Sequence, residues 1–180
     1  MAQASGGRSS RAASCTTSTG DHVGTLAIDV CDEAALAPLA RALLAALPPG
    51  GFVALSGELG AGKTTFVKAF AAATGIDPAE VVSPTFGLIH VHTGPLGRLV
   101  HADLYRIAGT ADLPEIGWDD AVAGADWTFA EWPERIAAVL PDDRLDVTIA
   151  IVGPTARRFT FTSHGERHAR VADRLTEATA

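Results

Sequence analysis

The segment Gly57-Glu58-Leu59-Gly60-Ala61-Gly62-Lys63-Thr64 constrains this chain more than any other. Its spacing is that of a phosphate-binding loop: Gly, four residues, Gly, then Lys and a hydroxyl residue. An apolar run, Phe52-Val53-Ala54-Leu55, precedes it, and a helix-like run, Thr65-Phe66-Val67-Lys68-Ala69-Phe70, follows. Strand in and helix out is the setting such a loop requires. The glycines let backbone N–H groups turn toward a phosphate, and the following helix adds its positive end. Lys63 is placed for the outer phosphates, and the Thr64 hydroxyl for a magnesium ion. The bland alternative is a Gly-rich turn that happens to precede a lysine. The flanking elements weigh against it, and so does the lysine itself. The chain has only two lysines, Lys63 and Lys68, among fourteen basic residues, so an ammonium here answers a specific need.

The 180 residues suit one domain, and 47% apolar residues suffice for a single α/β core. A formal charge of −7 with no basic run argues against a chain that grips nucleic acid unaided. Cys15 and Cys31 lack metal-ligand spacing, and a disulfide framework is not expected, which points to a cytoplasmic protein. No stretch is long and apolar enough to span a bilayer. Cys15 follows Ala-Ala-Ser, but no apolar segment precedes it to make an export signal.

Residues 1–22 are rich in Ser, Thr, Ala and Gly and are expected to form a disordered tail, with the phosphate-loop domain at 23–180. Residues 25–30 read as a first strand. Asp32 caps a helix carrying Leu36, Leu39, Leu43, Leu44 and Leu47, with Pro38 forcing a kink or a later start. A helix over 63–74 ends at Gly75. Strands are expected at 88–92, 98–103 and 127–131, a broken helical region at 111–123, and a helix from Pro133 to about 140. Residues 146–152 and 158–162 alternate around Gly153-Pro154, as in an antiparallel hairpin. A last helix runs from 166 toward the end. The pattern predicts an α/β fold of the P-loop NTPase kind: a mixed, mainly parallel sheet flanked by helices, with a C-terminal antiparallel hairpin.

Hydrolysis with magnesium needs carboxylates near the loop, at the carboxyl ends of parallel strands. Asp103 and Glu131 each end a predicted strand. Asp103 is placed to hold magnesium directly or through water. Glu131 is placed to bind the metal or to orient the attacking water. For each, a surface carboxylate capping a turn is the alternative. Thr85, in Ser83-Pro84-Thr85, is either a hydroxyl that senses the terminal phosphate or part of a plain turn. His90 and His92 share a strand face as half a metal site or as polar positions; no third ligand is evident. His101 shares a face with Asp103. Arg157 or Arg158 can meet a phosphate, although solvated arginines are common.

Four segments together resemble one family: Leu55-Ser56-Gly57-Glu58-Leu59-Gly60-Ala61-Gly62-Lys63-Thr64-Thr65-Phe66, Ser83-Pro84-Thr85-Phe86, His101-Ala102-Asp103-Leu104-Tyr105-Arg106 and Glu131-Trp132-Pro133-Glu134. In order and spacing they are similar to the bacterial TsaE (YjeE) ATPases of tRNA threonylcarbamoyladenosine synthesis, over roughly residues 23–162. The resemblance implies a cytoplasmic protein that binds and hydrolyses ATP with Mg2+. It implies action with a threonylcarbamoyl transferase complex of TsaD and TsaB type subunits, which modifies adenosine 37 of tRNAs reading codons that begin with A. The tRNA would be met only through those partners. Carried over by motif, Gly57 to Thr65 form the nucleotide grip, with Lys63 and Thr64 at phosphate and magnesium. Thr85 belongs to the switch-like loop, Asp103 is the second acidic motif, and Glu131 is the acid at the metal. Trp132 lies beside the site. The family's late basic residue matches Arg157 or Arg158 loosely, and Arg157 is taken as the nucleotide contact. The family's Thr at the start of its first helix is missing from Cys31-Asp32-Glu33-Ala34-Ala35.

Two other functions compete with an ATPase subunit. A small-molecule kinase should carry an arginine-bearing lid and an acceptor pocket, and no arginine cluster appears between Gly75 and Asp126. A nucleotide-gated binding module would use nearly the same residues without turnover.

Overall fold

A computed structural model describes residues 24–83 and 88–179. The expected tail at 1–22 and Thr85 lie outside the described residues. Seven strands, β1 (Thr25–Val30), β2 (Gly51–Ser56), β3 (Ile89–Gly94), β4 (Gly97–Asp103), β5 (Trp127–Glu131), β6 (Arg144–Ile151) and β7 (Arg157–His164), form one sheet in the order β1-β7-β6-β2-β5-β4-β3. The four inner strands β6, β2, β5 and β4 run parallel. The β6–β7 hairpin, β1 and β3 add antiparallel edges. This is the expected mixed sheet, with β2 at its middle.

Burial follows strand position. The central β2 is buried along nearly its whole length and reads as an unbroken apolar run, as a parallel strand covered on both faces must. The outer β1 alternates buried and half-buried residues. Helices α1 (Leu36–Ala46), α2 (Lys63–Thr74) and α5 (Val171–Thr179) contribute to one core. There Leu39, Leu43, Phe66, Phe70 and Leu175 join Val53, Leu55, Phe129 and Phe159. A second core joins Phe52, Ala54, Ala102 and Ala130, from the alternate positions of β2, β4 and β5, to Leu104, Ile107, Trp118 and Ile136.

Local chemistry sets the boundaries. Asp32 accepts a hydrogen bond from the Ala35 N–H at 3.1 Å and starts a 3-10 turn, Glu33–Ala35. Pro38 falls in the first turn of α1, where its missing N–H costs nothing. Gly75, at φ 85°, closes α2. The region 111–123 breaks as its Pro and Gly demand, into a 3-10 turn, Thr110–Asp112, and a short α3 (Trp118–Val122). Two expectations change. Pro133–Val139 is 3-10 rather than α, and the backbone departs from helical geometry where Ile136 turns into the second core. The last helix is two pieces, α4 (Gly165–His168) and α5.

His168 on α4 is fully buried, and neither ring nitrogen has a hydrogen-bond partner among the described residues. Burial holds its pKa below the ordinary histidine value; Asp143 opposes this and Arg167 adds to it. His92 is shifted the same way, again chiefly by burial. The unfolded chain therefore takes up protons at a higher pH than the folded one. Stability should be flat above about pH 6.5 and fall as pH drops through the lowered folded values. Urea melts at pH 7.5 and 5.5 should show lower stability at the acid value. His168→Leu should reduce that difference; an undiminished difference would place the effect elsewhere.

Candidate functional site

The register brings the chemistry together. Leu55 of β2 pairs with Glu131 of β5, and Asp103 of β4 pairs with the same Glu131. The carboxyl ends of three adjacent parallel strands are therefore level, and the loop 57–62 opens above them, where ligands gather in open α/β sheets.

The loop has the backbone that its glycines permit. Gly57 has φ 148°, and a Cβ there would lie 2.6 Å from the Ile149 carbonyl oxygen, so no larger residue fits. Gly62, at φ 102°, delivers the chain into α2. The Lys63 ammonium folds back on the loop and donates to the Gly57 carbonyl at 2.7 Å and the Glu58 carbonyl at 3.1 Å. It also lies 4.0 Å from the ring centre of Trp132, a cation–π contact. Burial holds the Lys63 pKa below the ordinary lysine value, while Glu131, Asp103 and Glu134 pull it back up.

Trp132 is held in the left-handed backbone region, at φ 60°. A bulky side chain adopts that conformation at a cost, and such strain collects at functional sites. Its ring packs on Tyr105 at 5.0 Å between centroids.

The acids meet the loop directly. Thr64 Oγ1 donates to Glu131 Oε1 at 2.8 Å. The same oxygen lies 2.8 Å from His101 Nε2, and His101 is wholly buried. Asp103 accepts from Ser83 Oγ at 2.9 Å and from the Tyr105 N–H at 3.1 Å. Leu59, Gly60, Gly62 to Thr65, Ser83, Asp103, Glu131 and Trp132 line one cavity of about 240 Å³. Hydroxyl and carboxylate oxygens are what magnesium selects, and so sparse a protein set leaves positions for phosphate and water. Among the described residues no group of three His, Cys, Asp or Glu side chains gathers as a metal cage, which includes His90 and His92.

A second cavity of about 260 Å³ adjoins the loop on its other side. Val30, Leu36 and Phe159 give it apolar walls, Asp32, Glu33 and Thr155 give polar ones, and Gly60, Ala61, Gly62 and Thr65 are shared with or border the loop. Arg157 belongs here. Its Nε donates to the Ala61 carbonyl at 3.1 Å, and its Nη1 to the carbonyls of Gly153 and Ala156. Arg158, one residue on, is directed elsewhere and pairs with Asp29 across β1–β7 at 2.7 Å.

Lys63, Thr64, Asp103 and Glu131 thus line one cavity, and Arg157 lines the adjoining one with its guanidinium bonded to backbone carbonyls. The second cavity and the contacts of His101 and Ser83 do not emerge from the sequence. His101 shares a face with Asp103 by strand alternation, but its partner is fixed by the β4–β5 register. The walls from β1 and β7 depend on an edge pairing that no local pattern encodes.

Residues 30–159 match the model of a family described as threonylcarbamoyl adenosine biosynthesis protein TsaE. A Bacillus subtilis protein named tRNA threonylcarbamoyladenosine biosynthesis protein TsaE is 36% identical over 138 residues, covering 77% of this chain and 85% of its own length. A Streptomyces coelicolor protein of the same name is 41% identical over 137 residues, covering 73% of this chain and 92% of its own. The crystal structure of Bacillus subtilis YdiB superposes with a TM-score of 0.72 at 29% identity, over 89% of this chain and all of that one.

Proposed function

The chain belongs to the TsaE family, and from that premise we propose how its residues serve an ATPase of tRNA threonylcarbamoyladenosine biosynthesis. Membership makes it a P-loop enzyme that binds ATP and magnesium and acts in that modification pathway. The observation that carries the residue-level reading is the 2.8 Å bond between Thr64 and Glu131, which ties the loop to the acid at the end of β5.

The phosphates lie along the backbone of residues 57–62 and the N-terminal end of α2. Lys63 leaves the Gly57 and Glu58 carbonyls and the Trp132 ring to reach the outer phosphates. Thr64, Asp103 and Glu131 would hold magnesium, which would neutralise charge on the phosphate oxygens. Glu131, already buried beside the loop, also orients water. Val30, Leu36 and Phe159 take the base, and Arg157 braces the loop from the hairpin. Thr85 contributes from the switch-like segment.

The finer role is to act with transferase subunits of TsaD and TsaB type on adenosine 37 of tRNAs that read A-starting codons. A charge of −7 supports leaving the tRNA to those partners. Exposed Leu59, Val82 and Tyr105 near the nucleotide site support a partner that covers it. ATP turnover then resets the complex between cycles. The test is modification of unmodified tRNA by purified transferase subunits with and without this chain. Repeated turnover is expected only when the chain and ATP are both present. A yield that does not depend on the chain would overturn the assignment. A non-hydrolysable ATP analogue that sustains repeated turnover would favour the gated binding module instead.

A further inference from the structure

We propose that His101 is a positioning residue for ATP hydrolysis, fixing the Glu131 carboxylate against the phosphate loop. The inference rests on the reading of Glu131 given above. His101 lies two residues before Asp103 on β4, so their side chains share the sheet face that carries Leu99, Phe129 and α2. Opposite it on β5 stands Phe129, and Glu131 is the next residue on that face. The imidazole therefore lies under the carboxylate, within the core, with Nε2 at 2.8 Å from Oε1.

Three observations give this contact a directional role. First, Glu131 Oε1 is held by two groups, the Thr64 hydroxyl and His101 Nε2, both at 2.8 Å. Of the two, His101 is the one supplied from within the sheet rather than from the phosphate loop. Second, His101 Nδ1 is buried without a partner among the described residues. An Nε2–H donor with Nδ1 as an acceptor fits that arrangement, since no N–H is then orphaned. Leaving even an acceptor unpaired in the core carries a cost, which a plain packing residue such as Leu would avoid. Third, the ring is fully enclosed, so it cannot swing away or touch substrate. It acts only through Glu131, as the groups behind metal ligands do elsewhere.

The experiment compares His101→Leu, which fills the space without a donor, with His101→Gln, whose side-chain amide can donate from nearly the Nε2 position. Wild type and Glu131→Ala are measured first. If wild type shows no hydrolysis, or Glu131→Ala retains it, the underlying reading of Glu131 fails and not this one. Given both controls, His101→Leu should lower kcat by about 10- to 100-fold with little change in KM for ATP. His101→Gln should recover most of the loss. A second readout needs no turnover: binding of a fluorescent ADP analogue titrated with Mg2+ should need about tenfold more magnesium in His101→Leu than in wild type or His101→Gln. Circular dichroism and thermal melts identify a variant that has lost its fold. If His101→Leu does not fold, His101→Gln against His101→Asn, whose shorter amide cannot reach Glu131, decides the question. Equal loss in Leu and Gln variants that fold, or no loss in either, overturns the proposal.

Discussion

Lys63→Ala should lower ATP hydrolysis by about 10²- to 10³-fold, the effect of removing one preorganised charge from a site where charge develops. The protein should stay folded. Among the described residues the Nζ bonds go to the carbonyls of Gly57, which is half-buried, and Glu58, which is exposed. The loop is shaped by Gly57 and Gly62 rather than by the lysine. Lys63→Arg should not rescue. A planar guanidinium is broader than an ammonium, and the position is confined between loop carbonyls and the Trp132 ring at 4.0 Å. Single-turnover phosphate release with saturating ATP and magnesium measures the chemical step, and equilibrium binding of a fluorescent ADP measures the grip. Hydrolysis by the alanine variant within about threefold of wild type would remove Lys63 from the reacting phosphates.

The largest loss of stability is expected from Phe66→Ala. Phe66 is fully buried on the first turn of α2, three residues past Lys63. Its ring packs on Phe159 at 5.0 Å and on Phe129 at 6.4 Å, so it joins the helix after the loop to both β5 and β7. Truncating such a ring costs about 3–5 kcal/mol, because the lost transfer energy is joined by a cavity that rigid strands cannot close. For a domain of this size that is a fall in Tm of about 6–20 °C. Calorimetry checks it, and a fall of only one or two degrees would mean that the core collapses around the gap. Nucleotide affinity should fall as well, since α2 presents the N–H groups of the site from the helix that Phe66 anchors.

Much of this was legible in the sequence because its strongest signals are local. A phosphate loop carries its own strand and helix, and α2 begins and ends where Lys63 and Gly75 place it. Asp103 and Glu131 were identifiable as strand ends because an apolar run stops at each. What the sequence hides is lateral order. Nothing in residues 98–103 or 127–131 says that β4 and β5 are neighbours in the register that levels Asp103 with Glu131 and sets His101 beneath it. The same holds for β1 beside β7, which builds the apolar cavity. The 3-10 form of Pro133–Val139 escaped for a related reason. Its residues suit a helix, and only the pull of Ile136 into the second core breaks it.

The bond from Arg157 to the Ala61 carbonyl spans 96 positions of chain. Arg157 and Phe159 in the wall opposite the loop come from β7, the last strand, which pairs with β6 and with β1, the first. During synthesis the glycine loop therefore emerges long before its brace. A nascent chain that stops short of residue 157 has the motif but neither Arg157 nor the Phe159 wall. The cavity beside the loop is therefore completed only when the final strand joins the sheet, and the brace on the loop is among the last contacts that synthesis makes available.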